Sequence, residues 1–320
     1  MRRLRIGLVT PAPRRSKSGN RVTALRWARL LRELGHRVAV EVDYRGQPWD
    51  VLIALHARKS ARSIQRFTRA RPGAPVVLAL TGTDLYGDIR TSKAARRSLA
   101  LATRVVVLQP RGLDALPPGL RRKARVILQS ARAPRGRSRR RPDVFETCVL
   151  AHLRPVKEPL LAARASRLLP AASRVRILHA GAALDQGVAR RARAEQAKSA
   201  RYRWLGERPR ARALALLARC RLLVVTSRLE GGANVVSEAI AAGVPVLSTR
   251  IDGSVGILGA RYPGYFPVGD ARALARLLRR AEADGRFYRD LRERCRRLRP
   301  LVDPARERRS WKALLRELRP

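Results

Sequence analysis

The sequence contains few acidic residues, few aromatic residues and hardly any lysine. Its 24 Asp and Glu residues stand against 71 Lys and Arg residues, which gives a formal net charge of +47, and all but seven of the basic residues are Arg. Aromatic residues make up only 4% of the chain, too few for the stacking platforms on which single-stranded nucleic acids bind. The arginines recur along the whole chain, which favours a generally arginine-rich surface. Dedicated nucleic-acid binding is the alternative that rests on the charge alone.

Cysteines are few, and long apolar runs are missing. Cys148, Cys220 and Cys295 are far apart and form no CxxC pair, which argues against a disulfide framework and a zinc ribbon and fits a reducing cytoplasm. No run reaches the roughly 18 uninterrupted apolar residues that span a bilayer, so we expect a cytoplasmic protein with no transmembrane segment. Because no GxGxxG follows the first apolar run, and no DxD segment or His/Asp cluster has metal-ligand spacing, we expect neither a cofactor nor a metal.

Short apolar segments alternate with amphipathic ones over most of the chain. This alternation is typical of parallel β/α units, and 320 residues with a hydrophobic fraction of 45% are enough for two separate cores. We therefore predict an α/β protein with two Rossmann-like, doubly wound lobes that face a central cleft. The predicted strands lie at residues 5–10, 37–42, 51–55, 76–80, 105–108, 126–128, 147–151, 175–180, 201–205, 222–226 and 244–248. The predicted helices lie at residues 21–34, 159–169, 210–218, 234–242, 271–283 and 304–318.

A polar segment separates the two series of strands. Residues 131–143 are rich in Arg, Pro and Ser and nearly free of large apolar side chains, so we expect a linker there. The N-terminal lobe then spans residues 1–142 and the C-terminal lobe spans residues 143–300. Residues 301–320 carry Trp311 and several Leu residues at helical spacing, which predicts a C-terminal helix that could cross back to the first lobe.

Two glutamates flank a glycine-rich loop that follows the apolar run at residues 222–226. Gly231 and Gly232 allow a ligand to approach the backbone, and the helix expected next presents amides and a positive dipole end that suit a diphosphate. Glu230 and Glu238 stand on either side of this anion site. Carboxylates bind diols through paired hydrogen bonds but repel phosphate, so we predict a ligand with a diphosphate between hydroxyl-bearing rings, such as a nucleotide sugar. The alternative is a plain turn with two solvated carboxylates.

This spacing of glutamates, with the segment 239–246 behind it, resembles the retaining glycosyltransferases of family 4, which have the GT-B fold. Further matches lie at residues 204–206, 226–227 and 267–270. The resemblance implies that Glu238 binds the ribose diol of the nucleotide. It also implies contacts with the sugar hydroxyls and phosphates for Glu230, Gly231, Gly232, Ala233, Asn234 and Val235.

A basic pair lies at the start of the C-terminal lobe. Arg154 and Lys157 match the basic residues that the family places on the donor diphosphate. Both can neutralise a leaving nucleoside diphosphate as its charge develops. Ordinary surface charge is the alternative for this pair.

The N-terminal half, together with two segments of the C-terminal half, narrows the resemblance to the selenosugar synthases of selenoneine biosynthesis. The segments that carry it lie at residues 10–13, 18–28, 54–58, 80–86, 248–256 and 262–266. Such an enzyme joins the sugar of a UDP-sugar, typically UDP-N-acetylglucosamine, to selenophosphate through a carbon–selenium bond, and phosphate is then lost. The resemblance implies an acceptor-side N-terminal lobe, a nucleotide-sugar-binding C-terminal lobe, functional partners in selenoneine synthesis and no specific nucleic acid. Two alternatives stay open: a family 4 enzyme that acts on a hydroxyl or lipid acceptor, and a nucleic-acid-binding protein.

A second anion site is predicted where the first helix begins. The loop that opens this helix forms a backbone nest with basic side chains beside it, which suits a small anion such as selenophosphate. The expected acceptor-binding residues are Lys17, Ser18, Gly19, Asn20 and Arg21. The alternative is an ordinary helix cap, in which Ser18 or Asn20 accepts hydrogen bonds from the first amides.

Thr81 stands where many family 4 enzymes have a histidine that touches the donor sugar. Threonine does not titrate near neutrality, but an anionic selenium nucleophile needs little help from a general base. We expect Thr83 and Asp84 to contact the sugar or the incoming anion, and we interpret His56 as a buried histidine at a strand end. The candidate catalytic residues are Glu230, Arg154, Lys157, Thr83 and Asp84.

Overall fold

The computed structural model describes residues 3–16, 18–134 and 141–318. The chain forms two compact units. Unit 1 comprises Met1–Ser130, Glu230–Asn234 and Asp303–Pro320, and unit 2 comprises Ala131–Leu229 and Val235–Val302. The lobe limits derived from the sequence stay predictions.

Unit 1 begins with a regular alternation of strands and helices. The strands are β1 Arg5–Val9, β2 Arg37–Glu41, β3 Val51–Leu55, β4 Val76–Leu80, β5 Arg104–Val107 and β6 Ala124–Val126. The helices are α1 Gly19–Glu33, α2 Ala61–Ala70, α3 Ile89–Thr91, α4 Lys93–Leu101 and α5 Pro118–Arg121, with a π-helical turn at Asp84–Asp88.

The sheet of unit 1 is parallel and buried on both faces. Its strand order is β2-β1-β3-β4-β5-β6, so the order reverses between β1 and β3. Ile53 packs into the core that contains Trp27, whereas its neighbour Leu52 packs into the core that contains Phe67. Because successive side chains of a strand point to opposite faces, helices must cover both sides of this sheet.

Unit 2 repeats the plan. Its strands are β7 Phe145–Leu150, β8 Val175–Ala180, β9 Tyr202–Trp204, β10 Leu222–Val225, β11 Val246–Thr249 and β12 Tyr265–Phe266. Its helices are α6 Leu161–Arg167, α7 Gln186–Ala197, α8 Arg210–Arg219, α9 Asn234–Ala242, α10 Asp252–Leu258, α11 Ala271–Ala283 and α12 Gly285–Arg297, and the first residue of α9 belongs to unit 1. The parallel sheet has the order β12-β11-β10-β7-β8-β9, which reverses between β7 and β10.

The last helix, α13 Pro304–Glu317, belongs to unit 1. Its Trp311 ring meets the Trp27 ring of α1 edge to face, with 4.7 Å between the ring centroids and an interplanar angle of 67°. Leu314 and Leu315 are buried in the same core. Aromatic pairs in this geometry add to the stabilisation that comes from burial alone.

Both units are doubly wound α/β structures, as predicted, but the sequence patterns missed several elements. Asp284 follows the predicted helix at residues 271–283 and begins a further helix, α12, that the sequence patterns did not indicate. The Asp284 carboxylate accepts hydrogen bonds from Arg286 N at 2.9 Å and Phe287 N at 3.0 Å, which makes it the N-cap of α12. Helix α7 was missed because it buries only Val188 and Ala192, too little for a clear apolar stripe.

Within the described residues, no helix is both long and apolar enough to cross a bilayer. The three cysteines are free and buried.

Candidate functional site

In unit 2, the loops that follow β7 and β10 and the last residue of β11 are tied together at one edge of the sheet. Thr226 Oγ1 donates to Lys157 O at 2.7 Å, and Arg228 N donates to Val156 O at 2.8 Å. Thr249 Oγ1 donates to Ser227 O at 2.6 Å. Because β7 and β10 are the strands between which the order reverses, this edge is where doubly wound sheets bind ligands.

The predicted basic pair lies on the loop after β7. Lys157 ends a 3₁₀ turn at Pro155–Lys157, and Arg154 precedes the turn with an exposed side chain. The carboxylate of Glu158, the next residue, lies 3.1 Å from Arg164 Nη2 and 3.2 Å from Arg228 Nε. These ion pairs tie the turn that carries Arg154 and Lys157 to α6 and to the loop after β10.

Glu238 lies on α9 with 8% of its surface exposed, and it has a partner that the sequence did not indicate. Arg210 Nη2, at the start of α8, donates to Glu238 Oε1 at 2.6 Å. The Arg210 side chain is 51% exposed. The carboxylate predicted to bind a ribose diol is therefore held through Oε1 by a guanidinium that solvent can reach.

The segment Glu230–Asn234 packs within unit 1. A Cβ at Gly231 would lie 2.5 Å from Thr81 O, and a Cβ at Gly232 would lie 2.5 Å from Leu108 Cβ. Such distances exclude any side chain. The sequence predicts that a ligand can approach the backbone of these two glycines. In the structure, the backbone that follows β4 and β5 packs closely against them.

Asn234 connects this segment to α1. Its Oδ1 accepts from Arg26 Nη1 at 2.8 Å, and its Nδ2 donates to Thr23 Oγ1 at 3.2 Å. A Cβ at Gly19 would lie 3.7 Å from Asn234 Nδ2. Unit 1 thus brings a residue of the predicted donor loop, Asn234, beside a residue of the predicted acceptor loop, Gly19.

The N-terminus of α1 does not have the ordinary cap. Ser18 occupies the N-cap position, but its side chain accepts no hydrogen bond from the helix amides, and its Oγ is buried without a partner. Arg21, one turn later, is 8% exposed, and its Nε and Nη1 atoms are likewise buried without a partner. Lys17 lies outside the described residues. Buried donors are normally satisfied, so this group of donors, at the positive end of a helix, has the chemistry of an anion-binding site.

The loop after β4 is built around Asp84. Its Oδ1 accepts from Thr81 N at 2.8 Å and Gly82 N at 2.9 Å, and its Oδ2 accepts from Ala57 N at 2.9 Å. The side chain has no exposed surface. We expected Asp84 to contact the sugar or the incoming anion. In the structure, this fully buried carboxylate holds the loop that carries Thr83 through its three amide donors, and its contact with a substrate stays a prediction.

His56, at the end of β3, lies beside this loop. It is 2% exposed, in agreement with its interpretation as a buried histidine, and its Nε2 lies 3.1 Å from Thr83 Oγ1. Its φ of 75° is in the left-handed region, where residues with a Cβ are strained. Burial lowers the pKa of His56, against the opposing effect of the Asp84 carboxylate. Burial thus favours the neutral imidazole, which shares a hydrogen bond with the Thr83 hydroxyl.

Comparisons with known proteins agree with this architecture. Residues 133–298, just over half of the chain, match the profile of the family described as Glycosyl transferases group 1. None of the curated proteins matches the sequence.

Several solved structures share the fold. HepE from Anabaena, solved in complex with UDP and glucose, is 15% identical and superposes with a TM-score of 0.78 over 98% of this chain and 100% of that one. Sucrose-phosphate synthase from Thermosynechococcus elongatus is 17% identical, with a TM-score of 0.79 over 99% of both chains. A trehalose-phosphate synthase from Burkholderia xenovorans, in complex with glucose-6-phosphate, is 13% identical, with a TM-score of 0.68 over 84% of this chain and 73% of that one. The predicted GT-B fold is confirmed.

Proposed function

Because the chain belongs to the group 1 glycosyl transferases, we propose that it is a selenosugar synthase that joins the sugar of a UDP-sugar to selenophosphate. We propose UDP-N-acetylglucosamine as the donor and the cytoplasm as the location. The observation that carries the choice of acceptor is a set of buried atoms without a hydrogen-bond partner at the N-terminus of α1, namely Ser18 Oγ and the Nε and Nη1 atoms of Arg21.

The proposed reaction forms one bond to the sugar and breaks another. A selenium electron pair of selenophosphate forms the bond to C1 of the sugar, and the bond from C1 to the diphosphate oxygen breaks, so that its electron pair leaves on UDP. Water then cleaves the selenium–phosphorus bond, which releases phosphate and leaves selenium on the sugar. No oxidant or reductant is needed, because selenium enters in its reduced form.

The acceptor site fits a small oxyanion better than a neutral hydroxyl. Arg21 offers two guanidinium nitrogens, Nε and Nη1, from a buried position, and Ser18 offers a hydroxyl beside the first amides of α1. Such donors satisfy phosphate oxygens, with charge-assisted hydrogen bonds from the guanidinium. A sugar or lipid hydroxyl would leave most of them unpaired. Gly19, Asn20 and Lys17 complete the proposed acceptor loop.

On the donor side, we assign Glu238 to the ribose diol, and Arg154 and Lys157 to the diphosphate. Arg154 and Lys157 lie on the anchored turn after β7, where their charge can stabilise UDP as it leaves. The loop residues Glu230, Gly231, Gly232, Ala233, Asn234 and Val235 are proposed to bind the sugar hydroxyls and phosphates. HepE, which shares the fold, was solved with UDP and glucose, and this agrees with a UDP-sugar donor here.

Thr83 is the proposed contact for the sugar or the incoming anion, and Asp84 is proposed to hold the Thr83 loop in place. His56 bonds to Thr83, and burial lowers its pKa, which favours the neutral imidazole. An anionic selenium nucleophile has no proton that must be removed before attack. The proposed mechanism therefore depends on positioning and charge and requires no general base.

Mass analysis of parallel incubations tests the proposal. UDP-N-acetylglucosamine is supplied with selenophosphate, with inorganic phosphate, or with a panel of sugar and lipid hydroxyl acceptors. We expect a selenium-containing sugar and UDP only in the first reaction, and the same reaction with UDP-glucose tests donor choice. Transfer to a hydroxyl acceptor, with none to selenophosphate, would show a conventional glycosyltransferase instead.

A further inference from the structure

We infer that Glu307, on α13, is a positioning residue that fixes the donor-loop residue Asn234 through Arg26. The inference rests on the proposed donor role of the segment Glu230–Asn234, and it assigns a function in donor binding to the C-terminal helix. All of these residues belong to unit 1.

Glu307 is a buried carboxylate, and both of its oxygens accept hydrogen bonds. It is 1% exposed. Its Oε1 accepts from Trp27 Nε1 at 2.6 Å, and its Oε2 accepts from Ser130 N at 2.8 Å and from the Ser130 hydroxyl. Arg26 Nε lies 3.1 Å from Oε2, and the Arg26 side chain is only 9% exposed. The two opposite charges are thus buried together, and the removal of either one would leave the other uncompensated.

Arg26 extends this ion pair to the donor loop. While its Nε faces Glu307, its Nη1 donates to Asn234 Oδ1 at 2.8 Å. The guanidinium is planar and rigid, so a partner that holds one edge also determines where the other donors point. The Arg26 side chain therefore links the orientation of the Asn234 amide to the Glu307 carboxylate.

Gln129 makes a second connection to the same loop. Its amide is oriented with the oxygen toward Arg26 Nη2 at 3.1 Å and the nitrogen toward Asn234 Oδ1 at 3.1 Å and Gly232 O at 2.7 Å, because only this orientation pairs every donor with an acceptor. The network therefore holds both a side chain and a backbone carbonyl of the donor loop. Buried networks in which every member is satisfied rigidify the segment they contact.

A purely structural role for Glu307 makes a different prediction from a positioning role. If Glu307 only attached α13 to α1, its loss would lower the thermal midpoint and leave the affinity for UDP unchanged. If it positions Asn234, its loss weakens the binding of UDP. Helix α13 offers a matched control at its opposite end, because Glu317 also pairs with arginines, Arg104 at 3.0 Å and Arg125 at 2.7 Å.

The test measures the dissociation constant of UDP by calorimetry, and the thermal midpoint, for the full chain. We expect Glu307→Gln to weaken UDP binding by about tenfold, since one charged hydrogen-bonding connection is lost, and Glu317→Gln to leave it within about twofold. Asn234→Ala should weaken binding similarly. The double variant Glu307→Gln/Asn234→Ala should be no weaker than the worse single variant, because both changes interrupt one connection.

Arg26→Lys keeps a positive charge beside Glu307 but loses the planar guanidinium that reaches Asn234. This variant should therefore also weaken UDP binding. It provides the test if Glu307→Gln does not fold. If Glu307→Gln or Arg26→Lys binds UDP with wild-type affinity, the inference is overturned while the proposed function stands. The same holds if the double variant weakens UDP binding by the product of the two single effects. A wild-type protein that binds no UDP would overturn the proposed function and the inference together.

Discussion

Arg210 and Glu238 form a short ion pair in unit 2, with 2.6 Å between Arg210 Nη2 and Glu238 Oε1. Glu238 is the carboxylate proposed to bind the ribose, so the pair and the nucleotide compete for one acceptor.

Removal of Arg210 should tighten the binding of UDP. Arg210→Ala leaves the Glu238 carboxylate with no competing guanidinium, and we expect the dissociation constant to fall by about threefold, the value of a partly exposed ion pair. Arg212→Ala is the matched control, because Arg212 is an exposed arginine of the same helix. Weaker binding in Arg210→Ala would show that Arg210 contacts the nucleotide itself.

Removal of Glu238 should weaken UDP binding severely and preserve the fold. A ribose diol bonds to a carboxylate through two charged hydrogen bonds, whose loss costs about 3 kcal/mol or about a hundredfold in affinity. Arg210 is half exposed and can be solvated when its partner is gone. Calorimetry with Glu238→Ala, together with its far-UV circular dichroism, checks both parts, and an unchanged affinity would remove Glu238 from the donor site.

Replacement of Arg21 should raise KM for the acceptor more than KM for the donor. Its buried guanidinium is proposed to bind selenophosphate, so Arg21→Ala should raise KM for selenophosphate by about tenfold or more, the value of a charged hydrogen bond, with a smaller change in KM for the UDP-sugar. Arg29→Ala, on the exposed side of the same helix beside Glu33, is the control. The reverse pattern of KM values would assign the site to the donor diphosphate.

Stability should fall in acid because of His179. This fully buried ring bonds to Tyr202 Oη at 2.8 Å and Ala151 O at 2.9 Å, and burial lowers its pKa to about 4. The unfolded chain, with a pKa near the ordinary 6.5, takes up the proton first as the pH falls. His179 therefore stabilises the fold above that pH, and the stabilisation is lost between the two values, by up to about 3 kcal/mol.

Urea denaturation at pH 7 and pH 4.5 measures this loss. The decrease in the free energy of unfolding between the two pH values should be smaller in His179→Gln than in the wild type. An equal decrease in both proteins would assign the acid sensitivity to other groups.

Turnover should not depend on a divalent metal. Arg154, Lys157 and the amides at the start of α9 are proposed to neutralise the leaving UDP, which is the work of a metal ion in other transferases. Among the residues that the structure describes, no three His, Cys, Asp or Glu side chains are grouped to hold a metal. Activity that EDTA abolishes and magnesium restores would contradict this prediction.

Much of the fold could be predicted from the sequence because the signals for it are local. The predicted strands at 51–55, 76–80 and 175–180 and the helices at 234–242 and 271–283 coincide with β3, β4, β8, α9 and α11. Each of these segments carries its own apolar pattern, and alternating strand and helix patterns imply a parallel, doubly wound sheet. Elements with weak patterns, such as α7, or with a shared boundary, such as α12, required the structure.

Part of the candidate site could likewise be predicted from the sequence, and part required the structure. A glycine-rich loop between an apolar strand and a helix is visible in the sequence, so an anion site at residues 230–238 can be predicted from it alone. The partners of that loop do not follow. Arg210 is 28 residues from Glu238, and Glu307 is 281 residues from Arg26. Only folding decides which charges meet across such separations, because no local pattern records the position of a distant side chain.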